Sequence, residues 1–163
     1  MKPKITPCLW FDGQAEQAAE FYISIFKNSR ITNVTRYGEV GQEIHGGEPG
    51  SPMVVAFELD GQAFTGLNGG PTFKFSEAIS FQIDCETQEE VDHFWDHLSE
   101  GGPVEAQQCG WVKDKFGVSW QIVPSILPEL LSDPDREKAD RTMAALLEMK
   151  KLDIAALKRA YDG

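Results

Sequence analysis

The chain has 163 residues and a formal net charge of −11, from 15 Lys and Arg against 26 Asp and Glu. A chain of this length makes one domain or two small modules and buries roughly 70% of its unfolded surface, so folding requires neither disulfide staples nor a structural metal. The acidity argues against a phosphate-backbone partner or an anionic membrane, both of which call for clustered Lys and Arg, and Cys8, Cys85 and Cys109 are too few and too far apart for a disulfide framework or a Cys-x-x-Cys knuckle.

Met1-Lys2-Pro3-Lys4 leads straight into a strand-like run, without the longer apolar stretch of a signal peptide. No apolar run approaches the ~18 residues of a membrane span, so the expected location is the cytoplasm. Ile5 to Phe11 reads as a strand, with Pro7 at an edge or a strand start, and Asp12-Gly13 breaks it. Gln14 to Lys27 reads as an amphipathic helix, with Ala15, Ala18, Phe21, Tyr22, Ile25 and Phe26 on one stripe. Ile31 to Tyr37 is rich in β-branched residues and strand-like. Gly38 to Pro52 shows no periodicity and reads as a long loop. Met53 to Leu59 and Gln62 to Leu67 form a hairpin about Asp60-Gly61, and Asn68-Gly69-Gly70-Pro71 closes the first half.

The second half repeats the order. Ala78 to Asp84 is predicted as a strand and Thr87 to Glu100 as a helix burying Val91, Phe94, Trp95 and Leu98. Val104 to Ala106, Trp111 to Lys113 and Val118 to Val123 are predicted strands, the last two joined at Phe116-Gly117. The first half runs strand, Asp12, Ala18, Phe21-Tyr22, and the second runs strand, Asp84, Val91, Phe94-Trp95. The Gly61 and Gly117 hairpin strands match likewise, with Phe64 against Trp120. Such a repeat marks two copies of one supersecondary unit. Beyond Val123 the pattern turns helical: Asp133-Pro134 is the expected start of a helix reaching about Leu152, and Asp153 caps a last short helix ending near Tyr161.

The runs Ile5-Thr-Pro-Cys-Leu-Trp-Phe-Asp12, Ala19-Glu-Phe-Tyr22, Phe64-Thr-Gly-Leu-Asn-Gly-Gly70, Asp114-Lys-Phe-Gly-Val-Ser-Trp-Gln121 and Asp133-Pro-Asp135 resemble the PhnB-like family. That family is often labelled 3-demethylubiquinone-9 3-methyltransferase, within the vicinal-oxygen-chelate (glyoxalase, bleomycin resistance and dioxygenase) superfamily. The resemblance implies an α+β fold of paired βαβββ modules, a sheet curved around a cup, and a homodimer. With the repeat, it divides the chain into a two-module region, 1–124 (about 1–71 and 72–124), and a helical extension, 125–163, packed on the same domain or on a partner subunit.

The resemblance also implies where superfamily enzymes hold a catalytic metal: Thr6, Thr65, Ala78 and Gln121. These offer no imidazole and no carboxylate, so neither a metal nor another cofactor is expected. His93 and His97 have the i,i+4 spacing of a zinc half-site, but with Val91, Trp95 and Leu98 inward both point to solvent. A methyl-donor domain would need a glycine-rich strand–turn–helix, whereas Gly66 to Pro71 precedes no helix. Cys8 has no His near it in sequence and reads as a packed thiol, and Asp114 reads as a hairpin-turn residue.

Period-2 alternation turns Thr6, Cys8, Trp10, Ala63, Thr65 and Leu67 to one face, joined from the second module by Ala78, Ser80, Gln82, Ser119 and Gln121. Asn68, Phe75 and Trp111 are expected at its mouth. A neutral, polar cup with Trp10 as a stacking surface suits a small, partly apolar ligand held by hydrogen bonds. The leading expectation is therefore a metal-free small-molecule binder using Thr6, Cys8, Trp10, Thr65, Asn68, Phe75, Ser80, Gln82, Trp111 and Gln121, with no nucleic-acid or membrane partner. The alternatives are a metal-dependent glyoxalase- or dioxygenase-type enzyme, a methyltransferase, or a sequestering protein of the resistance type.

Overall fold

The computed structural model describes residues 3–163. The chain forms two compact units, Met1–Phe75 and Ser76–Gly163.

The first unit runs β1 (Cys8–Phe11), α1 (Ala15–Ile25), β2 (Arg30–Arg36), a short α2 (Gln42–His45), β3 (Pro52–Leu59) and β4 (Gln62–Asn68). Its sheet has the order β1-β4-β3-β2, with β1 parallel to β4 and the other pairs antiparallel. This is the expected βαβββ module. Asp60 and Gly61 both take positive φ, 47° and 81°, as a two-residue turn matched to the strand twist requires. One sheet face, with Leu9, Phe11, Val55, Phe57, Leu59 and Phe64, is buried with Ala15, Ala18, Ala19, Tyr22 and Ile25 of α1. Tyr22 stacks on Phe57, and Phe57 on Phe64 at 5.5 Å. Gly66 lets α1 approach β4 closely: a Cβ there would stand 3.2 Å from that of Ala15.

The second unit runs β5 (Phe81–Cys85), α3 (Gln88–Ser99), β6 (Trp111–Lys113), β7 (Ser119–Pro124), α4 (Leu127–Leu131), α5 (Arg136–Leu147) and α6 (Ile154–Asp162). Its sheet has the order β5-β7-β6, with β5 parallel to β7 and β6 antiparallel to it. Thr87 caps α3 by accepting from the Glu90 amide. Val91, Trp95 and Leu98 are buried, Phe94 is half-buried, and His93 and His97 are exposed.

Several expected boundaries shift, each for a local reason. The first strand begins at Cys8 rather than Ile5, which is 83% exposed, although the Pro7 carbonyl still accepts from the Thr65 amide. The loop after β2 contains α2. The fifth strand begins at Phe81 rather than Ala78, because Phe81 pairs with Trp120 and β7 starts only one residue earlier. Val104–Ala106 is a 3-10 turn and not a strand, closed by the Ala106 amide on the Pro103 carbonyl. The second module therefore has three strands where the first has four.

In the tail, Asp135 and not Asp133 caps α5, accepting from the Glu137 and Lys138 amides. Asp133 instead accepts from the Asp135 amide and from the Tyr161 hydroxyl at 2.5 Å. Helix α5 stops at Leu147 rather than Leu152, and the Met149 and Lys150 carbonyls then accept from the Cys109 and Gly110 amides. Asp153 caps α6 as expected. Leu127, Leu130, Leu146, Leu152 and Leu157 make one apolar cluster, against which Cys109 and Val123 pack.

Candidate functional site

Each sheet has a second face, opposite the side on which α1 or α3 packs; in the second unit its Val123 end lies against the leucine cluster of the tail. In the first unit this face carries the row Cys8–Thr65–Ala56–Asn33 across all four strands, and beside it Trp10–Leu67–Val54–Thr35. Thr65 is half-buried, while Thr6 and Cys8 are exposed. Cys8 is thus not the packed thiol expected: it lies at the start of an edge strand, where the sheet leaves its side chain uncovered. Desolvation still raises its thiol above the ordinary value, which disfavours the nucleophilic thiolate. The buried Cys85 is pushed up to about 12, first by burial and then by Glu90 and Asp84.

Trp10 is held in place. Its Nε1 donates to the Gly70 carbonyl at 2.8 Å, Phe73 meets it edge-on at 4.9 Å, and Gly69 lies against the indole where no Cβ would fit. Asn68, expected at the mouth, is on the helix side and 7% exposed. Its Oδ1 accepts from the Ala15 amide at 2.9 Å and its Nδ2 donates to the Pro52 carbonyl at 3.0 Å. Gln14 makes no side-chain cap at the start of α1, so Asn68 supplies that acceptor from the neighbouring strand. Phe75 packs edge-on against Phe11 at 5.3 Å.

The second unit brings more of the expected residues together. Gln82 of β5, Gln121 of β7 and Trp111 of β6 are direct neighbours in one row. Gln121 Nε2 donates to Ser80 Oγ at 2.8 Å, so Ser80 belongs to the group although it precedes β5. Next in line, Ser119 pairs with Lys113. Ser119 is 2% exposed, and its hydroxyl has no hydrogen-bond partner among the described residues. Lys113 forms an ion pair with Glu77, which holds the Glu77 carboxyl below the usual carboxylate range. Lys113 and Glu77 were not singled out in sequence. The available signal was alternation, which turns Lys113 to the same side as Trp111.

Asp114 is 1% exposed and accepts from the Phe116 amide, the Val118 amide and Trp120 Nε1 at 2.8, 3.1 and 2.9 Å. It is a turn residue, as expected, and also the buried acceptor for the indole of β7. His45 lies in the first unit, bonded to Val40 and Gly47, and the His93 and His97 rings contact each other at 4.5 Å on α3.

Of the four positions at which the resemblance implies metal ligands, Thr65 and Gln121 lie on β4 and β7, whereas Thr6 and Ala78 precede β1 and β5. Two hydroxyls, a methyl and a carboxamide, the last already donating to Ser80, do not fit a catalytic zinc or other divalent transition-metal ion, which calls for imidazole, thiolate or carboxylate. Among the described residues no three His, Cys, Asp or Glu side chains gather as metal ligands. The residues do not fit a bound methyl donor in a glycine-rich strand–turn–helix either: after Gly69-Gly70-Pro71 the next helix is α3, and the intervening strand is β5. No helix among the described residues is long and apolar enough to cross a membrane.

Residues 3–123 match the family model described as 3-demethylubiquinone-9 3-methyltransferase. Among solved structures, a PhnB protein of Bacillus cereus carrying that same label is 36% identical over 75% of this chain and 99% of its own, at a TM-score of 0.65. Protein PA1353 of Pseudomonas aeruginosa is 19% identical over 74% of this chain and 96% of its own, at a TM-score of 0.56, a likeness of fold. The fosfomycin resistance protein FosX of Listeria monocytogenes is 13% identical over 82% of this chain and 99% of its own, at a TM-score of 0.49. No match to this chain is found among the curated proteins. With the model match over most of its length and the Bacillus cereus likeness, the chain belongs to the PhnB-like family labelled 3-demethylubiquinone-9 3-methyltransferase.

Proposed function

We propose that this chain binds a small, partly apolar molecule through hydrogen bonds on the sheet faces opposite α1 and α3, without a metal, and that it works in the cytoplasm as a homodimer. The observation that carries the reading is the row Gln82–Gln121–Trp111 with Ser80 hydrogen-bonded to Gln121. Donation to Ser80 fixes the orientation of the Gln121 amide and leaves its Oε1 as an acceptor. The indole of Trp111 on one side offers a flat apolar surface, and the exposed amide of Gln82 on the other offers a second donor and acceptor. A few fixed polar groups beside an aromatic surface are the usual composition of a small-molecule site. The reading makes binding the function and assigns no catalytic residue.

Benzamide, flat and neutral with one amide, is a suitable probe. It is expected to shift the NMR resonances of Gln82, Trp111 and Gln121 at millimolar concentration, and Gln121→Leu is expected to weaken it about tenfold, the worth of one or two neutral hydrogen bonds. Shifts confined to other residues, or an unchanged affinity in Gln121→Leu, sink the reading. Stoichiometric zinc or manganese in protein purified without chelator would overturn its metal-free part. S-adenosylmethionine in the same titration tests the family's methyl-transfer name, and size-exclusion chromatography with light scattering tests the dimer.

A further inference from the structure

Beside the neutral row lies a charged group that the proposed function does not use. Lys113 is the cross-strand partner of Ser119 and shares its face with Trp111 and Gln121. Cross-strand partners hold their Cβ atoms about 5 Å apart, so the Lys113 stem runs beside the Ser119 hydroxyl. That hydroxyl is buried and makes no hydrogen bond among the described residues. Buried polar groups are nearly always paired, so an exception calls for an explanation, of which a bound group is one and an ordered water another. Lys113 and Ser119 thus lie side by side on one face, and of the two only Lys113 is paired by the Glu77 carboxylate.

Glu77 has the features of a displaceable occupant. Its side chain is 60% exposed, against 25% for that of Lys113, and it lies in the irregular segment before β5. An ion pair with one exposed partner is weak, because water competes for the carboxylate and the long side chains lose rotamer freedom. Lys113 is confined on its strand, whereas Glu77 can swing into solvent at little cost.

Resting on the binding role assigned to Gln121, we propose that Lys113 and Ser119 form a carboxylate subsite of the same face, held by Glu77 until a ligand carboxylate replaces it. The ligand class becomes a flat molecule with a neutral hydrogen-bonding part over Gln121 and Trp111 and a carboxylate on the Lys113 ammonium. The incoming carboxylate takes over the charge of Lys113 and provides the acceptor that the Ser119 hydroxyl lacks. No covalent step is involved. In a chain of net charge −11, most of the surface repels such a ligand, so a cation presented on the site face selects where it settles.

The test pairs benzoate with benzamide on the full chain, read by NMR titration at low ionic strength. Benzoate is expected to shift Lys113 and Ser119 as well as Gln121, and to bind more tightly than benzamide. Glu77→Gln, which removes the competing carboxylate, is expected to tighten benzoate about three- to tenfold and leave benzamide unchanged, whereas Ser119→Ala and Lys113→Met each weaken benzoate about fivefold or more, as loss of a hydrogen bond to a charged group does. Glu129→Gln, an exposed change of equal charge in α4, is the control for net charge and is expected to change neither affinity. The subsite is overturned if benzoate shows no binding at tens of millimolar, if its shifts spare Lys113 and Ser119, or if Glu77→Gln has no more effect than Glu129→Gln. Benzamide binding that persists through such a failure leaves the proposed function standing, and its loss together with benzoate removes both.

Discussion

Between β3 and β4 the chain turns on the exposed pair Asp60-Gly61; between β6 and β7 it turns on Asp114, whose carboxylate is buried and holds three donors. The contrast extends to the sheets. In the first module β3 and β4 have eight and seven residues, and β2 flanks β3. In the second, β6 has three residues and β7 six, and no strand flanks β6 on its outer side. There the tail intervenes: the Met149 and Lys150 carbonyls take the Cys109 and Gly110 amides, and Gln88 donates to the Leu152 carbonyl while accepting from the Ile154 amide. Hairpins of this length are marginal by themselves. The two modules share a strand–helix start and a parallel pairing of first and last strands but not a source of stability, and the tail after β7 is hydrogen-bonded into the second module.

The largest effect expected from this contrast is at Leu157, which is 0% exposed in the tail's leucine cluster. Leu157→Ala is expected to cost about 2–5 kcal/mol, the lost transfer energy plus the cavity left behind. Urea unfolding gives the magnitude, and hydrogen exchange gives the location. Amides of β5, β6 and β7 should lose protection while those of β3 and β4 keep theirs. Equal loss in both sheets would show that the tail supports the whole chain and would break the comparison.

The two turns give the next prediction. Asp114→Ala leaves the Phe116 and Val118 amides and Trp120 Nε1 without this acceptor. A buried donor so orphaned costs about 1–3 kcal/mol, so a total near 3 kcal/mol is expected after partial relaxation. Asp60→Ala removes no buried partner and only replaces a residue tolerant of positive φ, for a cost below about 1 kcal/mol. Thermal melts of the two variants compare them directly, and similar losses would mean that the exposed turn carries hidden stability.

How far the sequence shows this is uneven. The alternation of strands, the stripe of α1, the Asp60-Gly61 turn and the order of the repeat follow from local periods of two and 3.6 residues, which are visible in a sequence. The limits of β5 are not visible, because Ala78–Ser80 alternate as well as Phe81–Cys85 do and only the start of β7 decides where pairing begins. Repeat logic also hid a difference, since a strand corresponding to β2 was sought at Val104–Ala106 and a 3-10 turn stands there. In the site, the shared face of Gln82 and Gln121 is legible from alternation, whereas Trp111 is expected only at the mouth. Asn68 is not legible, since its role is to cap a helix distant in sequence, and the ion pair of Lys113 with Glu77 depends on a segment without period.

The smallest expected effect concerns pH. Asp92 is held below the usual carboxylate range first by the Gln88 amide and then by Lys151, and Asp133 is held below it first by the Tyr161 hydroxyl. Lys151 and Tyr161 belong to the tail, whereas Gln88 is on α3. A carboxyl depressed by folding contributes stability that is present above its ordinary pKa and lost as pH falls through its folded value. Lys151 and Tyr161 are raised, by Asp92 and Asp133 respectively. Their share is present below their ordinary values and lost as pH rises through the folded ones. The tail should therefore be firmest between the carboxylate range and the range of Tyr and Lys, and loosen on either side. Asp92 is nearly half exposed, so Asp92→Asn is expected to cost less than about 1 kcal/mol at neutral pH. It should also flatten the acid limb of a melting-temperature profile, because the group that titrates there is gone. Parallel acid limbs for the variant and the natural chain would locate the acid sensitivity elsewhere, and protection of β3 and β4 followed over the same pH range would show whether the first module shares it.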